Sequence, residues 1–158
     1  MKRGEELKPL SWDHHHGLVL AFRLKRGMNK GAPDSIMAEY VQYAWENSLQ
    51  PHFNKEEKYL IAALEKYSNS TDLLIRQLRR DHSFFRKLLL KIKLKDINLR
   101  SLLQEFAEAL EKHIRFEERD FFPAIENIVP VKQLQIIGRL LHELHQTVDM
   151  CWVPEFWM

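Results

Sequence analysis

One stretch of this chain occurs twice in outline. His52-Phe53-Asn54-Lys55-Glu56-Glu57-Lys58-Tyr59-Leu60-Ile61-Ala62-Ala63-Leu64 is matched by His113-Ile114-Arg115-Phe116-Glu117-Glu118-Arg119-Asp120-Phe121-Phe122-Pro123-Ala124-Ile125. The His, both Glu, two apolar residues, an Ala and a closing aliphatic coincide. A shorter echo, Asp13-His14 against Asp81-His82, precedes each copy. A pattern present twice points to two similar structural units. Each copy sets His and Glu four residues apart, which on a helix places both on one face, about 6 Å apart along the axis.

Helix is the period of the rest of the chain. Apolar residues recur at three and four almost everywhere, and neither a long Val/Ile/Thr alternation nor an Asn-Gly turn is present. Breakers divide the sequence into five helical segments. Pro9-Leu10-Ser11 opens the first, with Ser11 as the expected N-cap, and Gly27 and Gly31-Ala32-Pro33 close it. Asp34 or Ser35 starts a second, interrupted by Pro51 and ending near Tyr67. A third follows Ser68-Asn69-Ser70-Thr71 and runs to about Lys95, before a break at Asp96-Ile97-Asn98. The fourth runs from about Leu99 past Phe122, with a kink expected at Pro123, and Val129-Pro130 ends it. Val131 to Gln146 reads as a fifth, shorter helix, and the tail after it has no usable period. Four long helices with short connections pack most simply as an all-α, up-and-down four-helix bundle, with the fifth capping an end or a side. The expected organisation is a single domain over residues 1–158, with its core at about 8–146 and a tail at 147–158.

Composition excludes several function classes. In 158 residues, 24 Lys+Arg stand against 22 Asp+Glu, a balance foreign to a strongly basic nucleic-acid binder or an acidic disordered chain. One cysteine, Cys151, cannot build a disulfide framework, so a reducing compartment is expected. No apolar run approaches the roughly 20 residues of a membrane span, and no apolar h-region follows the first basic residues. The expectation is a soluble cytoplasmic domain that uses neither membrane nor nucleic acid.

The histidines carry the chemistry. The helical stripes read Leu10, His14, Gly17, Ala21, Leu24, Met28 on the first segment and Trp45, Leu49, His52, Glu56, Tyr59, Ala63 on the second. The third reads Ile75, Leu78, His82, Phe85, Leu89, Ile92, and the fourth Phe106, Leu110, His113, Glu117, Phe121, Ala124. Each is apolar above and below a polar middle, so four imidazoles and two carboxylates are expected at one interior level. Two unpartnered buried carboxylates cost several kcal/mol each, and a cation compensates directly. Two metal ions a few Å apart, bridged by Glu56 and Glu117 and capped by imidazoles, meet that need. Imidazole with carboxylate suits iron or manganese better than calcium or magnesium. The lack of paired cysteines argues against structural zinc. His14 keeps the stripe on the first helix. His15, beside Leu18 and Phe22, is an alternative, and His16 points further round.

The Asp13-His14-His15 segment, His52-Phe53-x-x-Glu56-Glu57, Asp81-His82, His113-x-x-x-Glu117-Glu118, Pro123 and the trailing helix together resemble the hemerythrin-like family, the HHE cation-binding domain, over roughly residues 8 to 146. The resemblance implies a four-helix bundle holding two iron ions in a non-haem di-iron centre, with the two Glu as bridges. It implies a protein that binds or senses dioxygen, another small oxidant or iron itself. Zinc or manganese in the same place is an alternative. Oxygen-carrying members have a second ligand His one turn after the third-helix His; here that position is Arg86, which implies an open coordination position and a sensing role over transport.

Other features are weaker. Leu141-His142-Glu143-Leu144-His145 lacks the metalloprotease spacing, because Gln146 stands where the second His belongs, and His142 is left as a supplementary ligand candidate. The third helix is basic and the fourth acidic, an arrangement expected to attract across the bundle surface. Trp12, Tyr40, Trp45 and Tyr59 are expected in the core. No nucleophile, catalytic base or cofactor loop stands out, so no enzyme activity is assigned. The competing readings are a metal-free helical interaction module and a di-iron oxidase or iron-storage protein. The latter uses Glu-x-x-His, which no Glu here forms.

Overall fold

The computed structural model describes residues 3–95 and 97–158. Asp96, part of the expected break after the third helix, lies outside the described residues, as do Met1 and Lys2. After a 3-10 turn at Glu5–Leu7 come five long helices, with no strand among the described residues. Helix α1 is Lys8–Asn29 and α3 is Asp72–Lys93. Helix α2 runs continuously over 34–67 and α4 over 99–128, each interrupted by wide π turns. Helix α5 is Val131–Leu144, two residues shorter than its sequence period promised. Among these residues no helix is long and apolar enough to cross a membrane.

The π turns fall at Trp45–Leu49 and Glu56–Ile61 in α2 and at Glu117–Phe121 in α4. A proline inside a helix lacks its N–H and crowds the carbonyl one turn back. Pro51 and Pro123 are each the second residue of the regular α segment that follows such a turn. The wide turn thus takes up what would otherwise be a sharp break. It also shifts the inward stripe, because i→i+5 bonding adds a residue to the turn. Leu60, Ile61 and Leu64 are buried where the 3.6 period pointed at Tyr59, which is half-buried. Phe122 and Ile125 likewise take the place expected of Ala124.

The buried apolar residues form two cores. One contains Leu20, Leu24, Leu49, Phe53, Phe85, Leu88, Phe106 and Leu110. The other contains Leu10, Leu60, Ile61, Ile75, Leu78, Phe121 and Phe122. Helix α1 leaves the second core for the first, α2 returns, α3 repeats the path of α1, and α4 that of α2. Between the cores each helix passes through its polar middle. The α1–α4 contact is close at Gly17, where an added Cβ would stand 2.8 Å from Ile114 Cδ1.

Two expectations at the ends need correction. Ser11 is not an N-cap: α1 begins at Lys8, and the Ser11 hydroxyl instead donates to Glu118 Oε1 at 2.7 Å. Gly27 does not end α1 but lies within it, where a Cβ would meet the Phe156 ring at 2.5 Å. The aperiodic tail packs there: Phe156 and Trp157 are buried, Arg23 lies over the Trp157 ring at 4.1 Å, and Arg26 donates to the Trp157 carbonyl. Cys151 in this tail is exposed.

Charge pairing also departs from expectation. Arg79 and Arg86 of the basic helix α3 reach back to Glu65 and Glu57 of α2, not across to α4. From the acidic α4, Glu111 pairs with Lys25 and Glu118 with Arg3. Trp12, expected in the core, is 45% exposed, and its ring edges onto His142 and His145.

Candidate metal centre

Four helices each deliver one imidazole to the layer between the two cores. His14 comes from α1, His52 from α2, His82 from α3 and His113 from α4, and all four are buried. Glu56 and Glu117, one turn after His52 and His113, are fully enclosed at 0% exposure. Each opens a π turn, a local widening often found where a helix serves a site.

The side chains meet at their inner atoms. Glu117 Oε1 lies 2.8 Å from His113 Nε2, 3.3 Å from His14 Nε2 and 3.9 Å from His52 Nε2. Glu56 Oε1 lies 3.3 Å from both His52 Nε2 and His82 Nε2. Two overlapping sets of potential ligands result: His14, His52, Glu56 and Glu117 in one, and Glu56, His82 and His113 in the other. In each set one atom per residue lies within 4.8 Å of all the others.

None of the four Nε2 atoms and neither carboxylate has a hydrogen-bond partner. Buried polar groups in native proteins are otherwise paired almost without exception. Orphaned carboxylate oxygens aimed at orphaned imidazole nitrogens are the donor set a cation satisfies.

Three of the four outer nitrogens are held by carboxylates that follow the internal repeat, and the fourth faces one. His52 Nδ1 donates to Asp13 Oδ2 and His113 Nδ1 to Asp81 Oδ2, each at 2.9 Å. His14 Nδ1 lies 3.1 Å from Glu118 Oε1, and His82 Nδ1 faces Glu57 Oε2 at 3.6 Å, beyond hydrogen-bond reach. The order is cyclic: α1 supports α2, α3 supports α4, α4 supports α1 and α2 faces α3. A proton fixed on Nδ1 leaves the Nε2 lone pair free and directed inward, the usual support of a ligating imidazole. The echoed Asp13 and Asp81, and the second Glu of each copy, showed in the sequence as repeats without a role. Arg3, which binds Glu118 and Glu126 and caps the Phe122 ring, gave no sequence signal.

Electrostatics favour the neutral ring at His14 and His113 and the charged ring at His52, beside the Glu56 carboxylate. Burial lowers the His14 and His113 pKa values, against the hydrogen bonds these rings donate to Glu118 and Asp81. At His52 burial also opposes charge, but the Glu56 carboxylate and the Asp13 hydrogen bond outweigh it and raise the pKa. Glu56 is held below the usual carboxylate range: burial works against its charge, and His52 and His82 overcome it. Glu118, pushed up by burial and more strongly down by His14 and Ser11, sits at about 2.

The remaining candidates lie elsewhere. His15 is exposed: it is one residue, about 100° of helix, away from the buried position that His14 takes. His16 is half-buried beside the tail. Arg86 does not turn toward the centre; it points outward and grips both oxygens of Glu57, at 2.9 and 2.6 Å. His142 donates Nε2 to the Glu5 carbonyl at 2.9 Å, on the far side of Trp12.

Compared with known families, residues 10–125 match the hemerythrin HHE cation binding domain. The chain belongs to that family. No curated protein matches it, and no solved structure does. All six inward-facing residues of the centre fall inside the matched span, whereas α5 and the tail fall outside it. Hemerythrin-type membership and the geometry of the buried layer agree on the coarse reading: a helical bundle with His/Glu groups that can hold metal cations.

Proposed function

We propose that this hemerythrin-like chain is a non-haem di-iron protein of the cytoplasm that binds or senses dioxygen, a similar small oxidant, or iron itself. The observation that carries the reading is the pair of enclosed carboxylates, Glu56 and Glu117, facing four Nε2 atoms with no other partner. His14 and His52 would hold one ion and His82 and His113 the other, with Glu56 and Glu117 shared. Iron in such a site supplies reversible redox chemistry and affinity for small diatomic ligands. The protein's own part is to aim four imidazoles inward, three of them held by their Nδ1 atoms, to neutralise the ions with two carboxylates, and to exclude bulk water with apolar cores on both sides. The alternating passage of successive helices between those cores supports an up-and-down four-helix arrangement, with α5 added outside it, as a single domain. With Arg86 committed to Glu57, two imidazoles per ion leave room for an exogenous ligand, which favours sensing over carriage.

The test is metal analysis with an optical spectrum before and after exposure to air. About two iron per chain and a new charge-transfer band on oxidation are expected. A chain that takes up no metal after aerobic and anaerobic iron loading overturns the reading in favour of a metal-free interaction module. Stoichiometric zinc or manganese in protein made without added iron would keep the site and replace the ion.

A further inference from the structure

The internal repeat sets two equivalent Asp–His pairs on opposite sides of the molecule, and their surroundings differ. Asp13, over His52, is covered by chain that follows α4. His145 Nδ1 lies 3.7 Å from Asp13 Oδ1, and Lys55 Nζ reaches the Leu144 carbonyl at 3.5 Å. The depression left there, about 230 Å³, is bounded by Asp13, Asn47, Leu144 and Val148. The equivalent Asp81, over His113, has no such cover. A larger cleft of about 400 Å³ opens between α3 and α4, and its floor includes both Asp81 and the His113 imidazole.

The walls are suited to passage. Phe84 is 38% exposed at one lip, and the Phe116 ring stands 6.5 Å from the His113 ring at the other. Ala109 leaves the α4 wall low, and Lys112 and Gln77 flank the opening. Asp81 is oriented from both directions: Gln77 donates to Oδ1 at 2.8 Å and His113 to Oδ2 at 2.9 Å. Its side chain is 20% exposed, against 11% for Asp13. An incoming cation would therefore meet a fixed carboxylate directly outside a ligand-type imidazole.

We propose that the cleft between α3 and α4, floored by Asp81 and His113, is the entrance by which divalent cations reach the paired His/Glu groups. This rests on the metal-site reading above. The two aromatic lips and the 3% residual exposure of His113 make entry a gated step, in which Phe84 and Phe116 must part. Lys112 sets an electrostatic barrier at the mouth, so the loading rate responds to its charge.

The experiment follows cobalt(II) uptake by stopped-flow tryptophan fluorescence, with equilibrium stoichiometry measured separately on the full chain. Ala109→Trp, which fills the cleft, is expected to slow uptake by about tenfold or more with stoichiometry unchanged. Lys112→Glu is expected to speed it several-fold at low salt, an effect lost as ionic strength rises. Phe84→Ala, at an exposed position, should also speed it. Asn47→Trp, which fills the depression over Asp13, and Lys66→Glu, an equal charge change at the far end of α2, should leave the rate as it was. Should Ala109→Trp not fold, the Lys112 and Phe84 variants decide the question. Wild-type rates in those variants, or slowing by Asn47→Trp, overturn the assignment of the entrance while leaving the site intact. Failure of the unaltered protein to bind cobalt at all overturns the site reading and the entrance with it.

Discussion

At the scale of single residues, the centre separates into groups that face inward and groups that aim them. Glu56 and Glu117 belong to both halves of the buried layer, whereas each imidazole belongs to one. Glu56→Ala or Glu117→Ala is therefore expected to abolish binding of both cations, and His82→Ala to retain at least one. Metal content of the purified variants checks this, and equal retention in Glu56→Ala and His82→Ala would contradict the shared role. The aiming carboxylates act more mildly. Asp13→Asn and Asp81→Asn keep the shape but lose the charge that fixes the Nδ1 proton, and each is expected to weaken metal affinity by about 10- to 100-fold, as seen by competitive chelator titration.

At the scale of the elements, each inward-facing Glu opens a wide turn, so the helix that follows the carboxylate departs from the regular period. A π turn is a one-residue insertion absorbed locally, so the helix beyond it keeps its register. Deleting Lys58 is expected to leave helical content by circular dichroism unchanged and to weaken metal uptake, because it removes the wide turn that Glu56 opens. The α1–α4 contact is more brittle. Gly17→Leu forces a side chain against Ile114 and Leu110 and is expected to lower stability by about 1–3 kcal/mol in urea denaturation. These elements also show what the sequence could convey. His52, Glu56, His82, His113 and Glu117 were legible because a period of three to four set them in apolar stripes, and because the pattern repeats. The choice between His14 and His15 stays open in the sequence, since adjacent residues border the same stripe. The pairing of α3 arginines with α2, and the docking of Phe156 on Gly27, depend on how helices sit side by side, which no single helix encodes.

At the scale of the whole molecule, a layer of unpaired acids and imidazoles between two apolar cores makes folding and cation binding one equilibrium. An ion that binds the folded chain alone stabilises it by mass action, about 2.7 kcal/mol at a free concentration 100 times Kd. For a domain of 158 residues that corresponds to a rise in Tm of about 5–10 °C. Differential scanning fluorimetry with and without iron(II) under anaerobic conditions measures it, and an unchanged Tm would speak against a site inside the fold. Neither helical hairpin owns a full set of inward groups: one set draws on α1, α2 and α4, the other on α2, α3 and α4. A cation held by either set would be a rivet through the seam where the duplicated halves meet. Two separately expressed fragments, cut in the connection before Asp72, share both apolar cores and would hold each other more tightly in the presence of metal than in that of a chelator.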